Sequence, residues 1–112
     1  MPPDDRVRLL HMIEATETAL GFVAGRRRDD LDSDSMLLFA LVRAVEIVGE
    51  AAGRVSAETR ATAPGVPLSL IVATRNRLIH AYFDVDRDIL WRTATEELPT
   101  LLPTLRALLP AT

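Results

Sequence analysis

Residues 75–82 read Arg-Asn-Arg-Leu-Ile-His-Ala-Tyr, a polar cluster inside an otherwise leucine-rich chain. Histidine is the side chain best suited to moving protons near neutral pH. Arginine grips phosphate through two parallel N–H groups and stabilises charge that builds up on a phosphoryl group. Asparagine can orient either one. Together these types suit RNA cleavage without a metal. His80 would assist the ribose 2′-hydroxyl in attacking the adjacent phosphorus, or protonate the leaving oxygen, while Arg75 holds the phosphate. DNA lacks that hydroxyl and would be inert to this route.

Helix geometry limits the simple version. Residues advance ~100° and rise ~1.5 Å each, so Arg75 and His80 stand ~140° apart around the axis and ~7.5 Å along it. They share no ridge. Asn76 and His80 do, being four apart, and Tyr82 returns to nearly the direction of Arg75. One histidine per chain is also too few to serve as both acid and base. Two chains with these arcs facing each other would supply a pair. The plainer reading is a solvated helix face.

Other groups carry weaker chemistry. Glu46 and Glu50 lie one helical turn apart and could support Arg75 or Arg77 by charge pairing, or be plain surface beside Arg43 and Arg54. Asp84, Asp86 and Asp88 alternate like the start of a calcium loop. That loop fails at its sixth position, where Ile89 replaces glycine, and at its twelfth, where Thr95 replaces glutamate. Helix capping explains them better. Arg26, Arg27 and Arg28 could touch RNA phosphates, but Asp29 and Asp30 follow directly and favour a solvated loop. His11 reads as structural or exposed. Trp91 reads as an anchor of the last helix in the core or in a dimer interface.

The elements that must position these residues are helices. Leu9, Ile13, Leu20 and Val23 form one stripe, with Met12 and Ala19 beside it, over a helix at 5–24 that Gly25 stops. The polar run that follows is a loop or short turn, and Asp34 or a neighbouring serine can cap the next helix. Leu38, Leu41, Val45, Val48, Ala52 and Val55 mark a helix at 35–55. Ser56 caps a short piece through Arg60, and Pro64, Gly65 and Pro67 break the chain. A helix then runs over 68–81, and a last one over 86–109. Pro99 and Pro103 lie inside that last helix, so a kink or break is expected near Leu98. No segment alternates like a strand. The expectation is one all-α domain over residues 1–112, a four- or five-helix bundle.

With 112 residues the chain is long enough for one core, though a marginal one that a partner would help. All thirteen basic residues are arginine, yet the net charge is -3, which excludes a general nucleic-acid coat and confines any such contact to a local patch. There is no cysteine, hence no disulfide or thiolate metal site. No apolar run approaches the ~20 residues of a membrane span. The start shows no basic-then-apolar signal, so the expected location is cytoplasmic. No P-loop, dinucleotide fingerprint, zinc-protease motif or serine elbow occurs.

The stretch resembles the R-x4-H-x-Y motif of the HEPN superfamily, specifically the HepT-like toxins paired with MNT nucleotidyltransferase antitoxins. "LLHMIEA", "ALVRAVEIVGEAA", "RNRLIHAYFDVD" and "ILWRTATEELPTLLP" resemble that family in the same order, so the likeness covers nearly the whole chain. It implies an endoribonuclease toxin that needs no cofactor, with Arg75 and His80 catalytic, Asn76 the polar residue after the arginine, and Tyr82 the tyrosine to which the antitoxin adds AMP. It implies a helical homodimer whose motifs line a shared cleft, acting on tRNA or messenger. It also allows a silent HEPN module that binds RNA, nucleotide or a nucleotidyltransferase without cutting. A plain helical dimerisation protein is the remaining alternative.

Overall fold

A computed structural model describes residues 1–79 and 85–109. Within them lie seven α-helices: α1 (Pro3–Val23), α2 (Asp30–Ser33), α3 (Ser35–Gly53), α4 (Ala57–Thr62), α5 (Leu68–Ile79), α6 (Arg87–Arg92) and α7 (Leu98–Leu108). A π-helical turn, Thr93–Glu97, joins the last two into one arm. Four long helical arms and two short pieces therefore make an all-α bundle, with no strand among the described residues. None of the described helices is long and apolar enough to cross a membrane.

The local sequence sets each boundary. Pro3 opens α1, where a missing N–H costs nothing, and Asp4 and Asp5 sit in the first turn. The chain leaves α1 through Gly25, whose φ of 71° is the left-handed conformation that glycine adopts without penalty. Asp34 caps α3 by accepting the Leu37 N–H at 3.2 Å, Ser56 caps α4 through the Thr59 N–H at 3.3 Å, and Asp86 caps α6 through the Ile89 N–H at 3.0 Å.

A kink or break is expected near Leu98, and the helix does not break there. Instead the preceding turn widens, and the Leu98 N–H reaches back five residues to the Thr93 carbonyl. Pro99 then falls in the first turn of α7, where its missing donor is tolerated. Pro103 lies inside α7.

The core is one continuous cluster in which α3 is central. It packs on α1 along one side and on α5 along another, and α7 closes over α1. Leu9, Met12, Leu41, Val48, Leu78, Leu90 and Leu105 are fully buried. Trp91 is half-buried and packs against this cluster. Burial of Leu78 fixes the roll of α5 and turns Arg75 toward α3.

The chain just past the C-terminal end of α3 is held by a buried carboxylate. Asp5 is only 2% exposed. It accepts the Ser56 backbone N–H at 3.0 Å and the hydroxyls of Ser56 and Thr59. These hydrogen bonds, that from the Ser56 hydroxyl foremost and that from Thr59 next, hold its carboxyl below the usual aspartate range.

Candidate active site

Arg75 lies where α5 crosses α3, and its surroundings are unusual for a half-exposed arginine. One terminal nitrogen, Nη2, donates to Glu50 Oε1 at 3.3 Å. The other, Nη1, donates to Asn76 Oδ1 at 2.9 Å. Nε is buried and finds no hydrogen-bond partner among the described residues. The side chain as a whole is 30% exposed. Each terminal nitrogen carries two hydrogens, so one N–H on each stays uncommitted to the partners named. The guanidinium is thus held from two sides while one N–H on each terminal nitrogen stays uncommitted, and two such donors are the number a bidentate grip on phosphate uses.

The carboxylates extend this into a row. Arg43 Nη1 stands 3.2 Å from Glu46 Oε1 and 3.8 Å from Glu50 Oε1. Glu50 therefore bridges Arg43 and Arg75, whereas Glu46 pairs with Arg43 alone among the described residues. The Arg43 side chain is 59% exposed, so its pairs contribute at most ~1 kcal/mol each. Asn76 and Arg77 are exposed, and Arg77 forms no ion pair among the described residues. His80, Tyr82 and Asp84 lie outside the described residues.

A groove of about 640 Å³ runs between α1 and α3 and includes Glu50 in its wall. Its floor is apolar and small, with Ala15, Ala44 and Ala51, while Arg8, His11 and Arg54 stand along its rim. This was not legible from spacing alone, because its two walls come from helices separated by a loop. His11 is exposed here.

The remaining candidates separate from the site. Arg26 pairs with Asp30 at 3.2 Å and Asp34 at 2.8 Å. Arg28 pairs with Asp32 at 2.9 Å and Asp88 at 2.6 Å. Two of the three loop arginines are thus tied to neighbouring aspartates and pin α2 to the start of α6. Asp86 and Asp88 are occupied as cap and ion-pair partner, and no group of three or more metal-ligating side chains gathers among the described residues.

Sequence reasoning passed over Gly49. A β-carbon there would overlap Cβ and Cγ of Arg75 and come within 3.3 Å of its Cδ. A glycine inside a helix costs about 1 kcal/mol relative to alanine, and that cost is the signal that could have pointed to a close approach.

The family model for "Ribonuclease HepT-like" matches residues 12–108. A Methanocaldococcus jannaschii protein named "Putative RNase MJ1380" is 31% identical over 98 residues, covering 88% of this chain and 90% of its own length. "Probable ribonuclease HepT" of Thermococcus cleftensis is 38% identical over 73 residues, 65% of this chain and 66% of that one. "Putative RNase TTE0752" of Caldanaerobacter subterraneus is 36% identical over 96 residues, 86% of each chain. No solved structure matches. With its helical bundle, its arginine held at a helix crossing and a family match spanning nearly all of it, the chain belongs to the HepT-like ribonuclease family.

Proposed function

We propose that this chain is a metal-independent endoribonuclease, the toxin of a toxin–antitoxin pair, with Arg75 and His80 as its catalytic residues. The observation that carries this reading is the state of Arg75, gripped by Glu50 and Asn76 yet keeping an N–H on each terminal nitrogen uncommitted to those partners. Arg75 holds the scissile phosphate and offsets the charge that develops on it. His80 moves the proton of the attacking 2′-hydroxyl or of the leaving oxygen. Asn76 and Glu50 orient the guanidinium, Glu46 holds Arg43 beside them, and Arg77 offers a further contact for the RNA backbone.

Two chains complete the site. Met36 and Phe39, exposed at 82% and 69% on α3, together with the apolar floor of the groove, supply surface for a second copy. Pairing of two motifs then gives the acid and the base that one histidine cannot. The partner that restrains the enzyme is an MNT-type nucleotidyltransferase, which adds AMP to Tyr82. A helix continued past Ile79 would bring Tyr82 round to the direction of Arg75, where AMP places a negative charge in the arginine's phosphate site and excludes RNA. Work on RNA with such a partner is cytoplasmic.

The test is a gel assay of RNA cleavage in the presence of a chelator. Wild type cleaves. Arg75→Ala and His80→Ala lower the rate by 10²-fold or more, on the order expected for loss of a transition-state contact, while folding like wild type. Cleavage that persists in both variants refutes the assignment. RNA binding without cleavage by the wild type makes the chain a silent binding module. Intact mass after co-expression with the nucleotidyltransferase should show added AMP on Tyr82, and an unmodified tyrosine in a neutralised complex removes that part.

A further inference from the structure

We propose that Gly49 is a positioning residue for cleavage, its bare α-carbon forming the seat that brings the Arg75 guanidinium to Glu50. This rests on the assignment of Arg75 given above. Among the described glycines, Gly21, Gly25 and Gly65 have open space where a side chain would stand, and Gly53 would make only ordinary contact with Val72 Cγ2 at 3.7 Å. Gly49 alone of these is filled, and what fills it is the stem of Arg75. The overlap falls on Cβ and Cγ, the atoms nearest the α5 backbone, which cannot swing aside as the far end of a side chain could. A methyl group at position 49 therefore forces the helices apart or rotates Arg75 out of the crossing.

Three observations converge on this seat. The close approach buries Arg75 Nε, which no described residue partners. The next residue along α3, Glu50, takes Nη2 at 3.3 Å. On the other side Asn76 takes Nη1 at 2.9 Å. Stem, one terminal nitrogen and then the other are thus fixed by residues of two helices, leaving the guanidinium little freedom. A displacement of about 1 Å in such a group is enough to cost on the order of 10²-fold in rate.

The experiment compares Gly49→Ala with Gly53→Ala, the same change one turn along the same helix and facing the same neighbour. Gly49→Ala should lower kcat on the order of 10²-fold with KM little changed, and Gly53→Ala should leave both within about twofold. A readout independent of activity is the Arg75 Nε–H signal in NMR, assigned by its absence in Arg75→Lys. In wild type and Gly53→Ala it exchanges slowly with water, and in Gly49→Ala it exchanges fast. If Gly49→Ala does not fold, Gly49→Ala/Arg75→Gly removes the overlapping atoms and should regain the fold. Failure to regain it overturns the proposal. So does a Gly49→Ala enzyme that cleaves like Gly53→Ala while Arg75→Ala is inactive, an outcome that leaves the Arg75 assignment standing. Loss of cleavage with the Nε–H still protected also overturns it. An Arg75→Ala enzyme as active as wild type refutes the assignment itself, and the seat falls with it.

Discussion

Two polar clusters flank α3, and they are built on opposite rules. Asp5, Ser56 and Thr59 form one between α1 and α4, buried and mutually satisfied, with three donors converging on one carboxylate. Gly49, Glu50, Arg75 and Asn76 form the other at the crossing with α5, half-exposed, with a buried Nε that no described residue partners. A satisfied buried network fixes one arrangement of the backbone and offers nothing to a ligand. A cluster that spends a helical glycine and leaves donors unspent costs stability, and such local violations concentrate where a protein acts.

The largest effects should separate the two clusters completely. Arg75→Ala removes cleavage by the factor given above and shifts the urea midpoint little, since its ion pair is partly solvated. Asp5→Ala does the reverse. It strands the Ser56 N–H and two hydroxyls, lowers stability by about 2–3 kcal/mol in urea unfolding, and leaves kcat unchanged wherever the variant is folded. A loss of activity in folded Asp5→Ala would break the contrast.

A smaller effect appears on acidification. Asp5 is depressed in the folded state, so its contribution is fully present above the unfolded aspartate value of ~3.9 and is lost as pH falls through the folded value. Wild type should therefore lose stability steeply below about pH 4. Asp5→Asn should show a shallower decline over the same range. Asp30 and Asp34 are lowered too, chiefly by the Arg27 backbone N–H and by Arg26 respectively, but at the surface, at the starts of α2 and α3, where solvent screens them. Equal slopes for wild type and Asp5→Asn would move the acid sensitivity to those two aspartates.

The smallest effect sharpens what an unmet polar atom means. Thr16 Oγ1 is buried and has no partner among the described residues, like Arg75 Nε. Thr16 is fully inside α1, however, and faces no route to a ligand. Thr16→Val keeps the shape and removes the stranded hydroxyl, so it should raise stability by about 1 kcal/mol with cleavage unaltered. Destabilisation instead would show that the hydroxyl is satisfied.

Much of the fold is legible in the sequence, for a physical reason. The stripes at Leu9, Met12 and Ile13, and at Leu41, Val45 and Val48, repeat with the period of a helix, and a buried face leaves that mark in one dimension. Caps are equally local, since Asp34, Ser56 and Asp86 each bond an N–H three residues on. The π turn before Pro99 was harder, because whether a proline breaks a helix or is absorbed depends on what packs around it.

The types of residue in the candidate site were visible in the sequence, and so was the failure of Arg75 and His80 to share a ridge. What only the tertiary structure decided is who holds Arg75. Glu50 takes it and Glu46 does not, although both lie on α3 at helical spacing, because the antiparallel crossing places Gly49 and Glu50 opposite position 75, while Glu46 pairs with Arg43 three residues back on α3 itself. Asp5 shows the same division, since fifty-one residues separate it from Ser56. Periodicity and capping act within a few residues and are written along the chain. Contacts between helices depend on their relative roll and register, which the packed core alone determines.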